Sequence, residues 1–400
     1  MSDRATPPTP PSTVRERLSA RVRSVPPSGI RRFFDVAATM PDVISLGVGE
    51  PDFDTPPQVV EAGIAALRAG RTHYTSNYGT LELRRELAAH LERRYGVGYD
   101  PATEIVITVG ASEAVAVACA AIIDPGDEVL LHDPSYVAYV PGIVFAGGVP
   151  VHIPTRHEDA WELDPAAVEA AITPRTKALF LGYPCNPTGA VLDPARLRAL
   201  AEIAERHDLL VISDEIYDRL VYGGRRHEAF SALPGMRDRT ILLGGFSKAY
   251  AMTGWRVGWA CAPRDLLEGI LKIHQYEIMS APTIAQDAAL AALRTAEPDV
   301  ERMVAEYDRR RRTFTEGLRR IGLPVADPLG AFYAFPRVSG TGLTSETFAE
   351  RLLFEQQVAV VPGDAFGPSG AGHVRCSLAT SHAKLVTALE RIERFLGSLG

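Results

Sequence analysis

The sequence has very few cysteines. Its 400 residues include four, Cys119, Cys185, Cys261 and Cys376, which lie far apart and form no Cys-x-x-Cys pair. This spacing excludes a disulfide framework and is typical of proteins of the reducing cytoplasm, where we expect this protein to reside.

Long apolar runs and an excess of positive charge are also missing. No uninterrupted stretch of about 18 apolar residues occurs, so we expect no transmembrane helix. The formal net charge is −7, with 49 acidic and 42 basic side chains. Such a balance argues against a nucleic acid or an acidic membrane surface as a partner. Residues 1–12 are rich in proline and threonine and have no apolar segment, which predicts a disordered tail rather than a secretory signal.

Lysine is scarce as well. The four lysines are Lys177, Lys248, Lys272 and Lys384. A reaction that needs a lysine amine therefore has four candidates.

Between residues 55 and 295, apolar β-rich runs alternate with segments of helical periodicity. The strand-like runs are Glu104–Thr108, Glu128–His132, Lys177–Gly182, Leu209–Ser213 and Thr240–Leu243. Helical stretches such as 111–123 and 194–207 separate them. Apolar strands that alternate with helices predict a mostly parallel sheet covered on both faces, which is an α/β fold.

After residue 295 the pattern becomes that of a smaller α+β domain. The expected elements are a charged helix over 298–318, a strand over 330–336, a helix near 345–356, short strands at 358–361 and 373–377, and a final helix. We expect the run Asp308–Arg312 to be a solvated helix face. The predicted organisation is a large domain over 55–295 and a small domain over 296–400 joined by residues 13–54.

Polar residues follow the predicted strands where each strand ends, which is where open α/β sheets bind ligands. A glycine turn over 110–112 opens a helix, and the free N–H groups of such a turn suit a phosphate. Asp214 follows an apolar strand, and a carboxylate buried there is costly unless it meets a cation. Taken singly, the glycine turn is better explained as an ordinary strand–helix turn, and Asp214 is explained equally well as a helix cap.

Further groups at the same edge complete a pattern. Lys248 follows another apolar strand among small and apolar residues, which suits a lysine that reacts with a carbonyl group. Arg256 could hold a phosphate, and Tyr183 and Asn186 stand in a rigid turn. One ligand would use this whole set if it carried a phosphate, a protonatable ring nitrogen, a ring hydroxyl and an aldehyde. Pyridoxal 5′-phosphate carries all four.

From about residue 25 to 398 the chain resembles the class I aminotransferases of fold type I. The matching segments are Ser45–Phe53, His73–Gly79, Glu82–Arg84, Asn186–Gly189, Ser213–Tyr217, Ser247–Arg256 and Val374–Ser377. The resemblance implies a pyridoxal-phosphate-dependent transferase fold and a homodimer. It also implies transfer of an amino group between an amino acid and a 2-oxoacid, with 2-oxoglutarate as the usual acceptor.

The resemblance assigns roles around the cofactor ring. Lys248 matches the lysine that bonds to the cofactor aldehyde and later moves the proton of the substrate Cα. Asp214 matches the carboxylate paired with the ring nitrogen. Tyr217 and Asn186 match the pair hydrogen-bonded to the ring hydroxyl, and Tyr136 matches the aromatic residue stacked on the ring.

The resemblance also implies the phosphate contacts. They are the backbone of Ala111 and Ser112, the side chain of Arg256, and Tyr74 from a neighbouring subunit. Many relatives carry a hydroxyl residue where this chain has Gly245, which leaves one contact in question, and Ser247 could compensate. Cis peptides are expected before Pro134 and Pro187.

Residues for the substrate follow from the same resemblance. Arg375 matches the arginine that holds the α-carboxylate in a bidentate pair. Asn186 and the backbone of Gly49 match its helpers. No metal ligand is among the assigned residues.

Two positions of this chain indicate which amino-donor side chain the pocket accepts. Ser112 stands where relatives that favour aspartate can carry a basic residue, and Ile30 offers an apolar contact from the N-terminal loop. An apolar pocket favours aromatic or broad-range neutral donors, because a distal carboxylate would be unpaired. An inward-pointing Arg31 or Arg32 would reverse this.

Two alternatives stay open. One is an aspartate aminotransferase, and the other is a carbon–sulfur β-lyase on the same fold. A pyridoxal-binding transcription regulator is disfavoured, because the short tail and acidic charge leave no room for a DNA-binding domain. A nicotinamide oxidoreductase is disfavoured, because no Gly-x-Gly-x-x-Gly motif opens a helix after a strand.

Overall fold

The computed structural model describes residues 14–26, 40 and 42–399. The predicted disordered tail over 1–12 lies outside these residues, and so does the loop that contains Ile30, Arg31 and Arg32.

The strands of the described chain are β1 (Ile44–Ser45), β2 (Ile105–Thr108), β3 (Glu128–Asp133), β4 (Val149–Pro154), β5 (Thr176–Leu181), β6 (Leu210–Asp214), β7 (Thr240–Gly245), β8 (Gly258–Cys261), β9 (Tyr333–Ala334), β10 (Val358–Ala359), β11 (Val361–Pro362) and β12 (Val374–Ser377). The α-helices are α1 (Ala20–Ser24), α2 (Pro57–Arg68), α3 (Leu81–Tyr95), α4 (Gly110–Ile122), α5 (Tyr139–Ala146), α6 (Pro165–Ala170), α7 (Pro194–Arg206), α8 (Arg264–Glu277), α9 (Thr283–Thr295), α10 (Glu297–Arg320), α11 (Ser345–Gln356) and α12 (His382–Gly397).

Seven strands form the central sheet in the order β2-β8-β7-β6-β5-β3-β4. Strands β3 to β7 are mutually parallel, whereas β8 is antiparallel to both β2 and β7. Strand β2 therefore runs in the same direction as β7, and the carboxyl ends of β2, β3, β5, β6 and β7 meet at one edge. This confirms the predicted mostly parallel α/β sheet and brings its strand-end residues together.

Helices cover both faces of this sheet, as the predicted fold class requires. The long apolar strands β3, β5 and β6 are buried almost throughout. On one face α4 packs beside α5 and α8, and their apolar side chains form a cluster with those of β2, β3 and β7. No described helix is long and apolar enough to cross a membrane.

The C-terminal part forms smaller sheets. Strand β11 pairs with β12, which pairs with β9, all antiparallel, and β10 pairs in parallel with the N-terminal β1. The predicted strand over 330–336 is wrong in extent, because only Tyr333 and Ala334 are in β9. Ala331 has a φ of 52°, and this left-handed conformation interrupts an extended chain.

The expectation of a solvated face at Asp308–Arg312 is wrong for two of its arginines. Arg310 and Arg311 are buried on α10. Arg310 donates to Asp52 at 2.7 Å and to Glu306 at 2.8 Å. Arg311 is paired with Asp308 across one helical turn. Helical spacing places both guanidinium groups on the face that packs inward, where carboxylates compensate their charge.

Candidate active site

A cavity of about 570 Å³ opens at the carboxyl edge of the central sheet. Its lining includes eleven of the thirteen residues assigned from the sequence, namely Gly49, Ala111, Ser112, Tyr136, Asn186, Asp214, Tyr217, Ser247, Lys248, Arg256 and Arg375. They come from segments that lie far apart in the chain, from Gly49 to Arg375, so the fold rather than local sequence assembles the site.

Two assigned residues are not in this group. Tyr74 does not line the cavity, and its side chain is 82% exposed. Ile30 lies outside the described residues. A single chain therefore does not bring Tyr74 to the cavity.

The turn between β2 and α4 forms one end of the cavity. Gly110 has a φ of +71°, which favours glycine, and opens the helix at Ala111 and Ser112. The first N–H groups of a helix have no acceptor within the helix, so they point toward a ligand at the positive end of its dipole. Arg256 lies against the same turn, with its Nη2 2.7 Å from the position of a β-carbon on Gly110. Together these donors make an anion site.

Glycines on β7 and β8 allow the sheet to approach this turn. A β-carbon on Gly258 would lie 2.5 Å from the backbone nitrogen of Ala111. Gly245 is paired with Gly258 in the sheet, and a β-carbon there would lie 3.1 Å from both the Gly258 Cα and Ile216 Cδ1. A side chain at position 245 would therefore require its neighbours to shift by a few tenths of an ångström.

Asp214 ends β6 and is buried, as its position after an apolar strand predicts. Its Oδ2 accepts a hydrogen bond of 2.8 Å from the Tyr139 hydroxyl, and its Oδ1 accepts one of 3.2 Å from the Ile216 N–H. Burial raises the pKa of Asp214 to about 6, although the Tyr139 hydrogen bond opposes the shift. A carboxylate of this kind is stabilised by a protonated nitrogen beside it.

Tyr139 is a site residue that sequence reasoning missed. It is fully enclosed, and its ring packs on Phe180 at a centroid distance of 4.2 Å. Burial raises the pKa of its hydroxyl well above the usual value, so this hydroxyl stays protonated and donates to Asp214. The sequence carries no signal for it, because its hydroxyl meets Asp214, 75 positions away, only in the folded chain.

Lys248 follows β7 and points into the cavity. Its amine donates a hydrogen bond of 2.7 Å to the carbonyl of Gly49. Burial lowers the pKa of this amine to about 8, although the carboxylate of Glu50 favours the charged form. A lowered pKa increases the neutral, nucleophilic fraction of a lysine near neutral pH.

A pair of tyrosines lies beside Lys248. The hydroxyls of Tyr217 and Tyr333 are 2.7 Å apart and both side chains are buried. Gly49 allows this arrangement, since a β-carbon there would lie 2.3 Å from the Tyr333 hydroxyl. Tyr333 belongs to the segment that the sequence analysis placed in a strand, and its place in the cavity was not predicted.

Arg375 on β12 reaches the opposite end of the cavity. It donates at 2.8 Å to Asn186 Oδ1 and at 2.5 Å to the Gly47 carbonyl. Its guanidinium lies 4.6 Å from the Tyr333 ring centroid and 4.8 Å from that of Phe366. Its Nε is buried and has no hydrogen-bond partner among the described residues. A buried guanidinium with a free donor is suited to a carboxylate.

The peptides before Pro134 and Pro187 are cis, as expected, and the peptide before Pro184 is also cis. The peptides before Pro184 and Pro187 lie in the turn that presents Asn186 after β5. Among the described residues, no cluster of three or more histidine, cysteine or acidic side chains could hold a metal ion.

Comparison with known proteins gives a consistent result. The family model described as "Aminotransferase class I and II" matches residues 41–392. The putative aminotransferase YugH of Bacillus subtilis (strain 168) is 50% identical over 379 residues, which are 95% of this chain and 98% of that protein. An aspartate aminotransferase of Pyrococcus abyssi is 46% identical over 381 residues, 95% of this chain and 98% of that protein. The crystal structure of an aromatic aminotransferase from Pyrococcus horikoshii OT3 superposes with a TM-score of 0.88 at 45% identity, and covers 92% of this chain and 99% of its own.

Proposed function

The chain belongs to the family of class I and II aminotransferases, and on this basis we propose an activity, a cofactor and a substrate class. It transfers the amino group of an aromatic or broad-range neutral L-amino acid to a 2-oxoacid, normally 2-oxoglutarate. Its cofactor is pyridoxal 5′-phosphate. The observation that carries the proposal is the meeting of Lys248, Asp214 and Arg375 in one cavity.

The cavity fits each functional group of this cofactor. The N–H groups of Ala111 and Ser112, with Arg256, suit the phosphate. The buried carboxylate of Asp214 suits a protonated ring nitrogen, which would compensate for the burial that raises its pKa to about 6. Lys248 suits the aldehyde. When bound, the cofactor supplies a carbonyl carbon that accepts the amino group and a ring that withdraws electrons from the substrate Cα.

The chain's own residues then bind and orient the substrate. The buried Arg375 holds the α-carboxylate in a bidentate pair, and Asn186 fixes the guanidinium through the 2.8 Å hydrogen bond. A substrate held at its carboxylate presents one face of its Cα, which reduces the entropic cost of reaction. The Lys248 amine takes the proton from Cα and returns it during transfer, and its pKa of about 8 suits this exchange near neutral pH.

The lining of the cavity favours a neutral donor side chain. Within the described residues, the cations that line it are Lys248, Arg256 and Arg375, and each already has a role. Ser112 supplies no charge, and the rings of Tyr136 and Tyr333 offer apolar contacts. A distal carboxylate would be desolvated without a partner. The aspartate alternative is supported by the name of the Pyrococcus abyssi relative, and an inward-pointing Arg31 or Arg32 would favour it.

Assembly, domains and location are part of the same proposal. Family members are typically dimeric, and the exposed side chain of Tyr74 is free to reach the phosphate site of a second copy. The active unit is then a homodimer with its sites at the interface.

Residues 55–295 form the large domain, and residues 13–54 and 296–400 form the small one. The enzyme works in the cytoplasm on amino acids and 2-oxoacids.

A lysine replacement tests the catalytic assignment. Lys248→Ala should abolish transfer from phenylalanine to 2-oxoglutarate while thermal unfolding stays cooperative. Lys272→Ala is the matched control, because Lys272 is exposed on α8 and does not line the cavity. Substantial activity in the Lys248 variant would contradict the proposal.

A further inference from the structure

A buried pair of polar side chains, Glu113 and His274, adjoins the turn over 109–112, which we call the phosphate turn. Neither residue lines the cavity. His274 Nδ1 and Glu113 Oε1 are 2.5 Å apart. The His274 side chain is fully buried, and that of Glu113 is 8% exposed. The other carboxylate oxygen of Glu113 accepts a hydrogen bond of 2.5 Å from the Val109 N–H.

This polar pair is unusual because the contact between α4 and α8 around it is otherwise formed by small and apolar residues. α4 and α8 pack through small and apolar residues, with Ala114 and Ala118 on one helix and Leu267 and Ile270 on the other. His274 continues the buried face of α8, one turn after Ile270. Apolar residues could fill this place without the desolvation cost of a carboxylate and an imidazole. The second ring nitrogen, Nε2, is buried without a hydrogen-bond partner among the described residues, so the ring contributes one polar contact, the one to Glu113.

The contacts of Glu113 point to the phosphate turn. Val109 precedes α4, and Glu113 lies in the first turn of that helix. The Glu113 carboxylate thus ties the entry of the turn to its own helix, while His274 ties it to α8. Between the two tethered positions lie Gly110, Ala111 and Ser112, and the last two line the cavity.

The negative charge of Glu113 also has to be compensated, because it lies beside the anion site. A free carboxylate one residue after Ser112 would repel a phosphate at the helix N-terminus. Its hydrogen bonds to Val109 and His274 direct the carboxylate away from the cavity and compensate its charge. Removing His274 would leave the Val109 N–H as the one remaining hydrogen bond to this carboxylate shown among the described residues.

We propose that Glu113 and His274 are a positioning pair for the cofactor phosphate, holding the turn over 109–112 in the conformation that binds it. The pair touches neither the cofactor nor the substrate. It acts through the backbone N–H groups of Ala111 and Ser112. The proposal rests on pyridoxal 5′-phosphate being the cofactor.

The test compares two ligands that differ only in the phosphate. Apoprotein is titrated with pyridoxal 5′-phosphate and with pyridoxal, and binding is followed by tryptophan fluorescence. His274→Leu and Glu113→Ala should weaken binding of the phosphorylated ligand about tenfold or more. Binding of pyridoxal should change much less, so the preference for the phosphorylated ligand falls.

Two variants separate positioning from general packing. His274→Gln keeps an N–H that can reach Glu113, and should restore much of the preference. Ile270→Ala removes a fully buried side chain one turn earlier on α8, and should lower stability without changing the preference for the phosphorylated ligand.

The outcomes are distinct. Equal weakening of both ligands in the His274 and Glu113 variants would overturn the proposal, and so would the same loss of preference in Ile270→Ala. A wild-type protein that binds neither ligand would instead overturn the cofactor assignment, and the role of the pair with it.

Discussion

The hydroxyl of Tyr139 donates a 2.8 Å hydrogen bond to Oδ2 of Asp214, and the two side chains are buried together at the end of β6. Because burial keeps the tyrosine hydroxyl protonated, this hydrogen bond favours the ionised form of the carboxyl group. The proposed function needs that ionised form opposite the ring nitrogen of the cofactor. Tyr139 is therefore a positioning residue that acts through Asp214.

Replacing Tyr139 by phenylalanine removes the hydroxyl that donates to Asp214 and keeps the aromatic ring. The pKa of Asp214, already raised to about 6 by burial, should rise further. Cofactor affinity at pH 7 should fall roughly tenfold, the effect of losing one hydrogen bond to a charged group. The decline of cofactor affinity on acidification should begin at a higher pH than in the wild-type protein, because Asp214 becomes protonated at a higher pH. Titration of apoprotein with pyridoxal 5′-phosphate between about pH 5 and pH 8, a range that includes the raised pKa of Asp214, measures both effects.

Tyr183→Phe is the matched control for that experiment. Its hydroxyl is also buried but donates to the Trp161 carbonyl at 3.1 Å, away from Asp214. Wild-type affinity and pH dependence in Tyr139→Phe, or the same change in Tyr183→Phe, would contradict the positioning role.

Asp214 should also lower the stability of the protein without its cofactor. The pKa of Asp214 in the folded state is about 6 against an ordinary value of 3.8, so the folded state binds more protons between these two pH values. The free energy of unfolding then falls as pH rises from about 4 to 6 and is constant above that range. Asp214→Asn cannot ionise, and its apoprotein should be more stable at pH 7, by on the order of 3 kcal/mol at most.

Urea unfolding of the two apoproteins at pH 4 and pH 7 measures this difference, which should shrink at the lower pH. The exposed Asp238→Asn should show no such pH-dependent gain. An Asp214→Asn apoprotein that is less stable than wild type at pH 7 would show that the buried carboxylate is not the destabilising group.

Arg375 should determine amino-acid binding more than cofactor binding. Arg375→Lys keeps the charge but loses the planar fork that holds both the Asn186 oxygen and a carboxylate. We expect kcat/KM for the amino donor to fall by about 100-fold, mostly through KM. Cofactor affinity should stay close to that of the wild type. Steady-state kinetics with phenylalanine, together with cofactor titration, test the assignment, and an unchanged KM would refute it.

The sequence predicts those parts of the site that depend on local position. Asp214 stands at the end of one apolar strand and Lys248 shortly after the end of another, so the α/β pattern places both at the ligand-binding edge. Gly110 belongs to the predicted glycine turn that opens α4, whereas the antiparallel β8 and the close approach of its Gly258 to that turn were not predicted. The family resemblance adds Arg375, which lies far along the chain in a different sheet.

The parts that could not be predicted depend on distant packing. Tyr139 and Tyr333 have no motif, and their hydroxyls acquire partners only when α5 and β9 pack around the cavity. Arg310 belongs to a charged run, and its burial depends on Asp52, 258 positions away. The contact between Glu113 and His274 spans 161 positions and requires α8 to lie across α4. Such side chains acquire their partners only in the folded chain.

The most direct test of the central claim is a half-reaction without an acceptor. The purified protein with pyridoxal 5′-phosphate is mixed with one amino acid at a time (phenylalanine, tyrosine, aspartate, glutamate, alanine or cysteine), and cofactor absorbance and the 2-oxoacid formed are followed. We predict stoichiometric conversion of the cofactor to its amine form, fastest with phenylalanine or tyrosine. Fastest conversion by aspartate would contradict the apolar pocket. Release of pyruvate and sulfide from cysteine, with no amine form from any amino acid, would contradict transamination and support the β-lyase.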